Sequence, residues 1–127
     1  MQMERFQVGK MMGEHMMRCI DACQTCHSVC TETVHHCLKM GGRHAEANHI
    51  RMLLDCAHIC QTSADFMLRG SDFHGMTCEV CAEICERCAT NCDRFSDDEM
   101  MKRCADACRM CAQSCREMVE HFSRSHM

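Results

Sequence analysis

Apolar and sulfur-bearing residues recur along this chain at spacings that alternate between four and three, the interval at which an α-helix returns to the same face. Four stripes follow that rule. The first reads Met12, Met16, Cys19, Cys23, Cys26, Cys30, Thr33, Cys37 and Met40, and the second His49, Leu53, Cys56, Cys60, Ser63 and Met67. The third reads His74, Cys78, Cys81, Cys85, Cys88, Cys92 and Phe95, and the fourth Met101, Cys104, Cys108, Cys111, Cys115, Met118 and Phe122. A strand would send such residues to alternating faces, so the pattern excludes strands wherever it holds.

Polar punctuation separates the stripes. Gly41-Gly42 and Gly70, the latter followed by Ser71-Asp72, suit helix ends. Ser96-Asp97-Asp98-Glu99 reads as a capping box with Ser96 as N-cap. Helices are expected near 5–40, 44–69, 73–94 and 97–122. The two later connections are short, so those neighbours run antiparallel. The expected fold is all-α: one domain spanning 1–127, an antiparallel up-down-up-down four-helix bundle with a cysteine-lined core.

The stripes also repeat. C-x3-C-x2-C-x3-C occurs intact at Cys19–Cys30, Cys81–Cys92 and Cys104–Cys115, and a degraded copy runs from Cys56, with Ser63 and Met67 in its last two positions. Cys37 and Cys78 extend the first and third runs in register. Composition explains the need. Only 18 of 127 residues are Ile, Leu, Val or Phe, whereas 16 are Cys and 15 Met. An ordinary aliphatic core is out of reach, and soft sulfur side chains supply the apolar volume.

Net charge is −4, and no block of Lys or Arg points to nucleic acid or to an acidic membrane surface. No apolar run approaches the ~18 residues that span a bilayer, and Met1-Gln2-Met3-Glu4-Arg5-Phe6 does not open a signal peptide. The expected address is the cytoplasm, where thiols stay reduced. No Ser/His/Asp set or carboxylate pair suggests an enzyme.

Sixteen thiols in a reducing compartment point to metal or redox chemistry. Disulfides within a helix are disfavoured, because i and i+4 side chains have Cβ atoms ~5–6 Å apart and a disulfide needs about 3.5–4.5 Å. Thiolates select Cu(I), Zn(II) or iron–sulfur clusters. Cys23-Gln24-Thr25-Cys26-His27 matches the haem-attachment pattern, but CxxC recurs at Cys78/Cys81, Cys85/Cys88 and Cys108/Cys111 without a His. The ferredoxin spacing and its Pro are missing. Charge then separates copper from zinc. Four thiolates around each Zn(II) leave −2, so sixteen would leave about −8 in a narrow core, whereas one monovalent ion per thiolate leaves near zero. Pairs at i, i+4 (Cys19/Cys23, Cys26/Cys30, Cys56/Cys60, Cys81/Cys85, Cys88/Cys92, Cys104/Cys108, Cys111/Cys115) suit a metal lying between two sulfurs. Zinc or general metal sequestration, and a thiol redox sink, are the alternatives.

The repeated CxxxCxxCxxxC frame, over essentially the whole chain, resembles the cytosolic branch of the copper storage proteins. That resemblance implies many Cu(I) ions held along the core by the cysteine thiolates, often as CxxxC pairs, with His and Met helping at a bundle mouth. It also implies a homotetramer of bundles. Storage further implies a copper chaperone or efflux protein as exchange partner, and no nucleic-acid or membrane partner. The candidate metal ligands are the sixteen cysteines. His74, His49, Met12, Met16, Met67 and Met118 are candidates at the bundle ends, and the Met12/Met16/His74 end is the expected mouth.

Overall fold

The structure is a computed structural model that describes the backbone of residues 2–125 and the side chains of residues 13–121. Four helices account for nearly all of it: α1 (Gln2–Met40), α2 (Ala47–Leu68), α3 (His74–Cys92) and α4 (Glu99–Ser125). A single 3-10 turn, Gly42–Ala45, lies between α1 and α2. Among the described residues there is no strand.

Glycine ends the first two helices. Gly41 and Gly42 take φ of 70° and 57°, a left-handed conformation that a Cβ disfavours. The turn they open brings His44 back beside the bundle. At the end of α2, Gly70 (φ 65°) donates to Met67 O at 3.1 Å and Ser71 N donates to Phe66 O at 2.9 Å, the paired bonds of a Schellman motif.

The start of α4 departs from expectation. Its N-cap is Asp98, not Ser96: Asp98 Oδ1 accepts from the amides of Met100 at 2.9 Å and Met101 at 3.3 Å. A carboxylate here satisfies two of the helix's orphan donors and faces the positive end of its dipole, which a neutral hydroxyl does less well. Residues 95–98 form a turn that carries the chain into this position, with Asp98 N donating to Phe95 O at 3.1 Å.

The helices pack in a ring, α1 against α2, α2 against α3, α3 against α4 and α4 against α1; across the diagonals the backbones stay apart and only thiols meet, as Cys56 with Cys108 at 3.8 Å. Each neighbour runs antiparallel to the last. On α1 and α4, Cys19 meets Cys115 while Cys30 meets Cys104. On α1 and α2, Cys26 meets Cys56 while Cys37 meets His49. The interior is sulfur lined with alanine: all sixteen cysteines are buried, flanked by Ala57, Ala64, Ala82, Ala89, Ala105 and Ala112. Five of those alanines directly follow a seam cysteine, a Cys-Ala repeat visible in the sequence. Small side chains at these positions let the four backbones close around the thiols.

Candidate metal centre

Helical phase does most of the work of building the site. Each C-x3-C-x2-C-x3-C segment keeps its four cysteines on one face, and the ring of helices turns all four faces inward. Every cysteine is a free thiol. From Cys19 to Cys37 on α1 the column spans about 27 Å at 1.5 Å per residue.

Sulfur meets sulfur throughout. Cys56 lies 3.6 Å from Cys85, and Cys60 lies 3.6 Å from Cys85, 3.8 Å from Cys81 and 3.8 Å from Cys111. Cys23 approaches Cys111 at 3.6 Å and Cys115 at 3.8 Å, and Cys30 approaches Cys104 and Cys108 at 3.8 Å each. Two i, i+4 pairs are in direct contact, Cys26/Cys30 at 3.9 Å and Cys81/Cys85 at 3.8 Å.

These contacts assemble groups of four thiols whose sulfurs all lie within 4.8 Å of one another. Among them are Cys23/Cys81/Cys111/Cys115, Cys26/Cys30/Cys56/Cys108, Cys26/Cys56/Cys60/Cys85, Cys30/Cys88/Cys104/Cys108 and Cys60/Cys81/Cys85/Cys111. The groups overlap. Cys26, Cys30, Cys56, Cys60, Cys81, Cys85, Cys108 and Cys111 each belong to at least two. Separate tetrahedral zinc sites require separate tetrads, whereas shared sulfurs bridge metal to metal and suit soft ions of low coordination number.

The thiols share their protons. A hydrogen bond with Cys108 holds Cys26 well below the ordinary thiol range, and contact with Cys111 pushes Cys60 far above it. Protons therefore leave the column in steps. At its ends the shifts are simpler. Burial pushes Cys37 up to about 11. Contact with Cys115 pulls Cys78 down, but contact with Cys19 and burial outweigh it and raise Cys78 to about 12.

The α2 seam loses sulfur where the sequence said it would. Ser63 is buried and donates across to Thr77 O of α3 at 3.1 Å, while Met67 Sδ accepts from the Cys78 thiol at 3.8 Å. Met118 is buried at the same end, and Met16 packs against the core from its margin. His74 donates from Nδ1 to Ser71 O at 2.8 Å in the α2–α3 loop. The side chain of Met12 lies outside the described residues. On the α1–α2 side, buried Thr33 and Leu53 interrupt the sulfur column, and Thr33 returns its hydroxyl proton to Val29 O at 2.7 Å.

Beyond that interruption stands a mixed donor set. Cys37 Sγ is 3.3 Å from His49 Nε2 and 3.5 Å from Met101 Sδ, all three residues buried. Burial holds the His49 imidazole below its usual pKa and so favours the neutral ring. The Asn91 amide stands 2.6 Å from His49 Nδ1 and fixes the ring. Phe95 packs over His49, with ring centres 4.9 Å apart, and covers this end. Nitrogen and thioether are thus also found at the end opposite Met16, Met67, His74 and Met118. Met40, assigned to the same seam, is instead exposed. Met101 and Asn91 were absent from the candidate ligands. Met101 carried a signal, since it sits in register three residues before Cys104; Asn91, off the seam, carried none.

The comparisons with known proteins agree with this geometry. The structure superposes on the Nmul_A1745 protein of Nitrosospira multiformis with a TM-score of 0.81 and 44% identity, covering 86% of this chain and 98% of that one. It matches the Cu(I)-bound copper storage protein BsCsp3 of Bacillus subtilis with a TM-score of 0.78 and 35% identity, over 83% and 98% of the two chains. A cytosolic copper storage protein of Streptomyces lividans, in a structure with five coppers, matches with a TM-score of 0.77 and 30% identity over 87% and 97%. The family model described as copper storage protein, Csp, matches residues 12–120, and the chain belongs to that family.

Proposed function

We propose that this chain stores Cu(I) in its core, with the sixteen cysteines as ligands and no catalytic step. The observation that carries the reading is the overlap of the thiol groups, which favours a continuous array of bridged monovalent ions over four isolated divalent sites. Charge supports it. At about one ion per thiolate the buried array is near neutral, which avoids the large cost of unpaired charge in a dry interior.

Cys37, His49 and Met101 add a three-coordinate site at one end, with Cys37 Sγ, His49 Nε2 and Met101 Sδ as its donors and the Asn91 side-chain amide beside His49 Nδ1. Met67, beside Cys78, offers a thioether at the other end, with Met16 and Met118 near it. The S. lividans relative is described as cytosolic, and the free thiols suit the same compartment here. The chain forms a homotetramer of bundles; exposed Met76, Val80 and Met110 on α3 and α4 offer apolar surface for that assembly. A copper chaperone or efflux protein is its exchange partner. Among the described residues no helix is long and apolar enough to cross a membrane.

Competition between metals tests the reading. Reduced chain first saturated with Zn(II) and then challenged with Cu(I) is expected to release all its zinc and take up several-fold more copper, seen by native mass spectrometry. Retention of about four Zn(II) against copper would overturn it in favour of zinc sequestration.

A further inference from the structure

Outside the thiol column, two imidazoles converge on one oxygen. His36 Nε2 is 2.7 Å and His44 Nε2 is 3.0 Å from the same atom, Asp98 Oδ2. The three residues come from three places: the last turns of α1, the 3-10 turn and the N-cap of α4. All three are partly buried, with side chains 30%, 18% and 15% exposed. Capping α4 does not require this arrangement, because Oδ1 alone accepts the Met100 and Met101 amides. Those bonds aim Oδ2 at the two rings.

We propose that His36, His44 and Asp98 form a separate site for a divalent cation of the zinc class. The donor set is two imidazole nitrogens and a carboxylate oxygen, with no thiolate or thioether, which favours borderline divalent ions over Cu(I). The spacing fits as well. Tetrahedral zinc bonds of about 2.0–2.2 Å put neighbouring donors roughly 3.3–3.6 Å apart and two imidazole centres about 5–6 Å apart. Here the nitrogen–oxygen separations are 2.7 and 3.0 Å and the ring centres are 5.9 Å apart, so the cation enters once the imidazoles draw back from the carboxylate by roughly half an ångström. It takes the place of the Nε2 protons, each neutral ring then carrying its proton on Nδ1. Phe95 packs against His44, with centres 4.3 Å apart, and holds that ring. His44 and Asp98 line an open cavity of about 500 Å³ together with Asp97 and Glu99. Water reaching this cavity completes the coordination; Arg43 and Arg94, which also line it, offset the charge of Asp97 and Glu99, so the site's own charge is that of Asp98. A bound cation ties the end of α1 to the start of α4.

Co(II), which substitutes for zinc and reports its donors in visible absorption, is the probe. Added anaerobically to Cu(I)-loaded protein, Co(II) is expected to bind at one equivalent, with d–d bands and no thiolate-to-metal charge transfer. His36→Gln and His44→Gln each weaken binding, and the pair weakens it at least tenfold. His58→Gln, at an exposed position, leaves it unchanged. In the unloaded reduced chain the double variant loses one nitrogen/oxygen-bound equivalent while thiolate-bound intensity stays, so this result is independent of copper storage. Far-UV dichroism of the variants checks that the bundle is intact. Absence of Co(II) binding, binding unaffected by the double variant, or a thiolate band from this equivalent would overturn the proposal.

Discussion

Cys60 touches sulfurs on two other helices, Cys81 and Cys85 on α3 and Cys111 on α4, and shares two thiol groups with Cys85. Removing them should cost copper without costing the fold. The Cys60→Ala/Cys85→Ala variant is expected to take up about two fewer Cu(I) at one ion per thiolate. Each change should destabilise the apo-protein by on the order of 1 kcal/mol, for small buried volumes, as read by denaturant unfolding. His49 supplies nitrogen where the rest of the core supplies sulfur, so His49→Ala should abolish the light-atom scattering around copper in X-ray absorption while leaving sulfur scattering intact. The thiols also set an alkaline limit for the apo-protein. Cys37 and Cys78 ionise near 11 and 12 when folded, against 9.0 for a free thiol. Unfolding is therefore favoured once the unfolded chain can shed protons the folded chain keeps: stability is full below pH 9 and falls as pH rises towards 11–12. Thermal melts of reduced apo-protein across that range check the sign. The cysteine column was legible because its spacing has a helical period. His36, His44 and Asp98 were not, because none lies on a seam and their meeting depends on how the 3-10 turn folds back.

At the scale of the element, the turns are where sequence reading and structure part. Both place helix stops at Gly41-Gly42 and Gly70, since positive φ singles out glycine. The cap of α4 was misplaced by two residues: Ser96, Asp97 and Asp98 are all capping types, and local sequence does not rank them. The structure ranks them by tertiary contact, because Asp98 also receives His36 and His44. Asp98→Ala should therefore destabilise the apo-bundle by about 1–2 kcal/mol, the usual worth of a cap, whereas Ser96→Ala should leave its denaturation midpoint unchanged. Gly70→Ala should cost about 1 kcal/mol through its left-handed backbone alone, since an added Cβ there meets open space.

The whole molecule joins two requirements that ordinarily conflict. A bundle this poor in aliphatic residues needs its thiols as packing, and a metal store needs them as ligands. Both are met because a thiol is small and apolar, while its thiolate is neutralised by each arriving monovalent ion. Apo and loaded forms then share one fold, and loading should add little helix. The bundle was legible from four seams, but how the seams interlock was not: only the ring of antiparallel helices shows that the thiol groups overlap. Anaerobic titration of reduced apo-protein with Cu(I), against a Cu(I) chelator of known affinity, tests this most directly. Uptake to a ratio near the sixteen cysteines, with unchanged far-UV dichroism, is the predicted result; saturation near four metals would contradict it.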